Sequence, residues 1–149
     1  MARMWIIAAD STTCRILVAD SPSAALEEIE VLEHPEGRMH ERDLVSDQPG
    51  RAFDSFGAGR HAMEVQVSPK QHEAMLFAGR IAARLEAARV KHDFDTLSIV
   101  AAPRFLGLLR DKLNPHLRAL VRYEVDKNPR RLKADAIRKQ LPQRLFRAG

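Results

Sequence analysis

Apolar and polar residues along this chain follow two different periods, and the changes between them divide it into elements. Met4 to Ala9 and Thr13 to Ala19 are short apolar runs separated by Asp10-Ser11-Thr12. Those three residues suit a tight turn, so the two runs predict a β-hairpin. Ala25 to Leu32 sets Leu26, Ile29, Val31 and Leu32 among glutamates. Its spacing fits a strand or a short helix; a strand pairing with the hairpin is the preferred reading. From Pro35 to Ser68 the periodicity fails. Gly37, Gly50, Gly57, Gly59 and Pro49 punctuate a charged stretch, with Glu64 to Val67 as a candidate short strand at its end. A connection of this length is usually functional or disordered.

A helix then begins with clear capping chemistry. Ser68 is a natural N-cap, Pro69 fits the first helical position, and Gln71 completes an S-x-x-Q capping box. Ala74, Phe77, Ala78, Ile81, Leu85 and Ala88 recur at helical steps and predict one buried stripe, while Arg80, Arg84 and Lys91 fall on another face. The helix should end near Lys91-His92. Thr96 to Ala102 is a continuous apolar run that reads as a buried strand in a partly parallel sheet. Pro103 opens a second helix with Phe105, Leu106, Leu108, Leu109 and Leu113 on its apolar face, and Asn114-Pro115 breaks it. Leu117 to Leu120 adds a turn of helix, Val121 to Val125 a last strand, and Arg130 to Gln140 a basic helix stopped by Pro142. Antiparallel strands followed by α/β crossovers imply one α/β domain over residues 1–149, a mixed sheet flanked by helices.

Composition sharpens this in three ways. Aromatics are only 5% of residues, so Leu, Ile, Val and Ala must build the core. Cys14 is the only cysteine, which excludes an intrachain disulfide. The apolar run at Met4 to Ala9 is too short for a signal-peptide core of about 7–15 residues, and nothing approaches the roughly 20 of a membrane span. These observations predict a cytoplasmic chain with no membrane span. The net charge of +4 hides an asymmetry: residues 1–75 carry −6 and residues 76–149 carry +10. From about residue 127 to 149, in the basic helix and tail, Lys127, Arg130, Arg131, Lys133, Arg138, Lys139, Arg144 and Arg147 face only Asp135. Such a segment can neutralise phosphates on RNA or DNA, or it can be a solvated helix face with a basic tail.

Two stretches carry more identity than secondary structure requires. One is Asp43 to Arg51 (DLVSDQPGR) with Phe53-Asp54-Ser55 and Gly59-Arg60-His61; the other is Ala102 to Arg110 (APRFLGLLR). With the Asp10 turn and the intervening helix, they resemble the bacterial host-attachment protein family over nearly the whole chain. The resemblance implies a ribonuclease-H-like fold, related to the middle domain of the eukaryotic and archaeal class-one peptide release factors. In those factors a loop before the long helix carries a Gly-Gly-Gln tip that enters the ribosome. Here the corresponding stretch has Gly57-Ala58-Gly59-Arg60, and Gly-Gly-Gln occurs nowhere in the chain. The resemblance therefore implies the fold and ribosomal contact, but not peptide release. The family takes its name from attachment of bacteria to host cells, which a cytosolic chain would influence indirectly.

Candidate sites follow from both lines. Arg104 sits just inside a helix after a buried strand, where α/β folds bind anions, and with Arg110 it could hold a phosphate. The alternative is that Arg104 pairs with a local carboxylate. Asp43, Ser46, Asp47, Gly50 and Arg51, with Gly59, Arg60 and His61, form a polar loop that suits binding or internal bonding. Asp10 either closes the hairpin turn or imitates the first-strand carboxylate of a two-metal nuclease, which would need further carboxylates beside it, Asp20, Asp43 and Asp47 being available. His40-Glu41 with His61 lacks a metal-fixing spacing, and Cys14 reads as a core residue. No cofactor is implied. Three functions compete: a non-enzymatic RNA- or ribosome-binding module, a regulatory factor with protein partners, and a metal-dependent phosphodiester hydrolase. The first is preferred.

Overall fold

The first strand is apolar at every position, and that is explained by where it lies. A computed structural model describes residues 2–35 and 68–146. In it β1 (Met4–Ala9) is buried throughout and sits at the middle of a five-stranded sheet ordered β3-β2-β1-β4-β5. β2 (Thr13–Ala19) pairs antiparallel with β1, and β3 (Glu27–Glu33) pairs antiparallel with β2. On the other side β4 (Thr96–Ala101) runs parallel to β1, and β5 (Val121–Asp126) parallel to β4. A strand with neighbours on both edges and layers on both faces has no polar side to present.

Period-2 alternation sends Trp5, Ile7 and Ala9 to one face and Met4, Ile6 and Ala8 to the other. The first face lies under α1 (Pro69–Val90) and α2 (Pro103–Lys112), with Leu117 of the short α3 (Pro115–Leu120) completing it. The expected stripe of α1 is buried as read: Ala74, Phe77, Ala78, Ile81, Leu85 and Ala88 all face the core, joined by Ala82. Ser68 Oγ accepts from Gln71 N at 3.1 Å, as an N-cap should. The return bond of a capping box is not formed, because the Gln71 side chain lines a cleft instead. At the other end Lys91 is the C-cap and His92 takes a left-handed φ of 61°, with Asp93 N donating to Ala88 O at 2.9 Å.

The second face is covered by the C-terminal segment. α4 (Ala134–Lys139) is shorter than the helix expected over Arg130 to Gln140. Ile137, Leu141, Leu145 and Phe146 are buried against Met4, Ile6, Leu17 and Val100. The basic stretch that reads as a tail is thus a packed layer through Phe146.

β3 is the outer strand beside β2, and its register slips. Ile16 pairs with Glu30 and Leu17 with Glu28, leaving Ile29 unpaired in a bulge. Ile29 and Val31 are 46% and 45% exposed. α1 reaches this strand through polar groups: Arg84 donates to both Glu30 carboxylate oxygens at 2.9 and 2.8 Å, and Arg80 to Glu33 O at 2.7 Å. The face of α1 expected to be merely charged is its seam with β3. The chain is a single α/β domain with a mixed sheet flanked by helices, and no helix among its described residues is long and apolar enough to cross a membrane.

Candidate functional site

β1 and β4 run parallel and end together, Ala9 beside Ala101, with Ala102 N donating to Ala9 O at 3.3 Å. Helix α1 starts nearby at Ser68 and α2 at Ala102. Between these ends opens a cleft of about 550 Å³. Open α/β sheets bind ligands at such carboxyl ends, where side chains from several segments meet.

Asp10 is at the back of this cleft and only 8% exposed. Its Oδ1 accepts from Thr12 N at 2.8 Å, Thr12 Oγ1 at 3.0 Å and Thr13 N at 2.8 Å, which fixes the hairpin turn. Oδ2 faces the Arg130 guanidinium at 3.9 Å. The turn reading of Asp10 therefore holds. Among the described residues no group of three His, Cys, Asp or Glu side chains gathers to hold a metal.

Positive charge enters the cleft from three separate segments: Lys70 in the first turn of α1, Arg104 in the first turn of α2, and Arg130 after β5. Among the described residues Asp10 is the one acidic group that lines it. Arg104 is exposed and makes no ion pair with any described residue. The N-cap of α2, Ala102, supplies no side-chain acceptor, and Pro103 has no N–H. The first turn of α2 therefore starts without a side-chain cap. Ala74, Phe105 and Leu108 form its apolar part.

A family model described as "Protein required for attachment to host cells" matches residues 5–141. The chain belongs to that family. No curated protein matches this host-attachment chain. Among solved structures it is similar to an archaeal protein at 11% identity, with a TM-score of 0.43; the match covers 93% of this chain and 35% of the archaeal one.

Of the residues expected to act in this host-attachment protein, Arg104 and Arg110 are among the described ones. Arg104 lines the cleft, but Arg110 does not join it. Six residues further along a helix of 3.6 residues per turn, it faces away and ion-pairs with Glu124 of β5. Asp43, Ser46, Asp47, Gly50, Arg51, Gly59, Arg60 and His61 lie outside the described residues, as do His40, Glu41 and the strand expected at Glu64 to Val67. Cys14 is fully buried, and burial pushes its thiol pKa up to about 12, with Glu30 and Asp10 adding to the effect. It is an inert core residue. Lys70, Asn128 and Leu108 were not foreseen as site residues. The available signal was positional: each sits within a few residues of a helix start or a strand's carboxyl end.

Proposed function

We propose that this member of the host-attachment family is a non-enzymatic RNA-binding module that meets the ribosome through the cleft and its cationic rim, without peptide-release activity. One observation carries the reading: Lys70, Arg104 and Arg130 converge from three segments on one concave site. Cations gathered in a concave site raise the local positive potential, and that field attracts an anionic ligand. Lys127, Arg131 and Lys133, exposed on the stretch that holds Arg130, extend the positive surface beyond the cleft. A sheet ordered β3-β2-β1-β4-β5 supports the ribonuclease-H-like expectation.

Sucrose-gradient fractionation at low salt tests the proposal, together with filter binding to ribosomal RNA across a salt series. The chain should co-sediment with ribosomes and release as salt rises. The double variant Arg104→Gln with Arg130→Gln should lower the slope of log affinity against log salt by about 1.4, since each phosphate contact on a single strand contributes about 0.7. A chain that stays in ribosome-free fractions and binds no RNA at low salt defeats the reading. Partners that survive nuclease treatment, with no RNA binding, would replace it with a protein-partner role.

A further inference from the structure

The lining of the cleft is more varied than a track for phosphates requires. A backbone track needs cations and little else, because a duplex presents mainly phosphates and sugars on its outside. Here the cations stand at the rim of a concavity whose interior includes Ala74, Phe105 and Leu108. Its volume of about 550 Å³ is that of a small-molecule site, which runs to roughly 300–1,000 Å³. Apolar surface within a cationic rim suits a flat base attached to a phosphate. A paired, stacked base cannot enter it, whereas an unpaired one can turn out of the strand.

Asp10 adds a further requirement. Three donors from its own turn occupy Oδ1, while Oδ2 stands 3.9 Å from Arg130, beyond hydrogen-bond length. Oδ2 keeps acceptor capacity inside a site otherwise built for anions. With Arg130 offsetting its charge, Oδ2 can still accept from a ligand that carries a donor beside its negative charge. The ribose 2′-hydroxyl is such a donor, and it separates RNA from DNA.

Resting on the RNA-binding reading, we infer that the cleft receives one unstacked ribonucleotide of a single strand. Lys70, Arg104 and Arg130 hold its phosphate, Leu108 and Phe105 meet its base, and Asp10 Oδ2 accepts from its 2′-hydroxyl.

Fluorescence anisotropy with the full chain tests this, using a labelled oligouridine, an RNA duplex and an oligodeoxyuridine of equal length. The single-stranded RNA should bind at least about tenfold tighter than the duplex, as expected for one base contact of the stacking kind. Uridine monophosphate should compete, and inorganic phosphate should do so far more weakly. Leu108→Trp, which fills the cleft, should lose that tenfold preference without a change in melting temperature. Asp10→Asn keeps an acceptor for the turn and should bring the RNA-to-DNA affinity ratio toward one. Equal binding of duplex and single strand overturns the inference while leaving the RNA-binding reading intact. So does RNA binding that uridine monophosphate cannot displace, a result that stands even if Leu108→Trp fails to fold. An unchanged RNA-to-DNA ratio in Asp10→Asn removes the 2′-hydroxyl assignment. No RNA binding at all overturns both readings together.

Discussion

The two faces of the sheet are covered by unlike material. Over Trp5, Ile7, Ile16 and Ile99 lie α1 and α2, regular helices whose backbones satisfy their own hydrogen bonds. Over Met4, Ile6, Leu17 and Val100 lies a short helix followed by irregular chain to Phe146. Irregular backbone leaves carbonyls without partners, and side chains must supply donors. Arg138 does so, donating to Ala24 O at 3.0 Å, Pro22 O at 3.4 Å, Pro142 O at 2.7 Å and Gln143 O at 2.6 Å. Arg15 does the same, at 2.8 Å to Pro129 O and 2.7 Å to Leu132 O. One face is held by apolar periodicity, the other by apolar anchors plus arginines spent on backbone. A count of positive charges in the C-terminal segment therefore overstates what is available to a phosphate.

Removing the largest fully buried side chain of the helical face should break that face most severely. Phe77 is 0% exposed and touches the rings of His34, at a centroid separation of 5.2 Å, and Phe105, at 6.0 Å. Phe77→Ala should cost about 3–5 kcal/mol in chemical denaturation, the sum of lost transfer energy and a residual cavity. A loss below about 1 kcal/mol would show that this face collapses freely and is not close-packed.

A smaller effect, with a different spatial signature, is expected on the opposite face. Arg138→Met keeps the aliphatic stem and removes the donors. It should cost about 1.5–3 kcal/mol, the range for hydrogen bonds to a charged group. Hydrogen exchange should then accelerate at residues 134–146 while α1 remains protected, because the C-terminal layer can lift without opening the helical one. Equal acceleration in both layers would mean that the two faces unfold as one unit and that the contrast between them has no energetic meaning.

The same contrast decides how much could be read beforehand. β1 announces itself by an unbroken apolar run, and α1 by its cap and stripe, since each is a local pattern with a single packing solution. The back layer is not legible in the same way, because Arg138 has the same sequence appearance whether it faces solvent or four carbonyls. Its role depends on Pro22 and Ala24, more than a hundred residues away. The cleft is equally non-local. Asp10, Lys70, Arg104 and Arg130 meet only because β1, β4 and β5 run parallel in adjacent register, which no spacing within the chain encodes. Arg104 could be anticipated because it follows a buried strand directly. Arg110 was grouped with it by proximity in sequence, and helical phase carried it to the other side.

The smallest effect is expected where the helical face itself turns polar. At its margin α1 is tied to β3 by the two hydrogen bonds between Arg84 and Glu30, and the Arg84 guanidinium also lies 5.4 Å from the centre of the Trp5 ring. Hydrogen bonding from Arg84 holds the Glu30 pKa below its ordinary 4.5, and partial burial opposes the shift without cancelling it. Folding therefore favours the ionised form. The stabilisation is fully present above the unfolded value of 4.5 and is lost as pH falls through the lower folded value. Glu30→Gln should cost about 0.5–1 kcal/mol at neutral pH, the upper part of the range for a partly exposed pair with good geometry. The gap between native and variant melting temperatures should close on acidification below 4.5. Glu86, held down to about 2 by Arg89, titrates in both proteins and cancels from the difference. A gap that stays constant through that range would assign the loss to the altered hydrogen-bond geometry of the amide and not to the charge of Glu30.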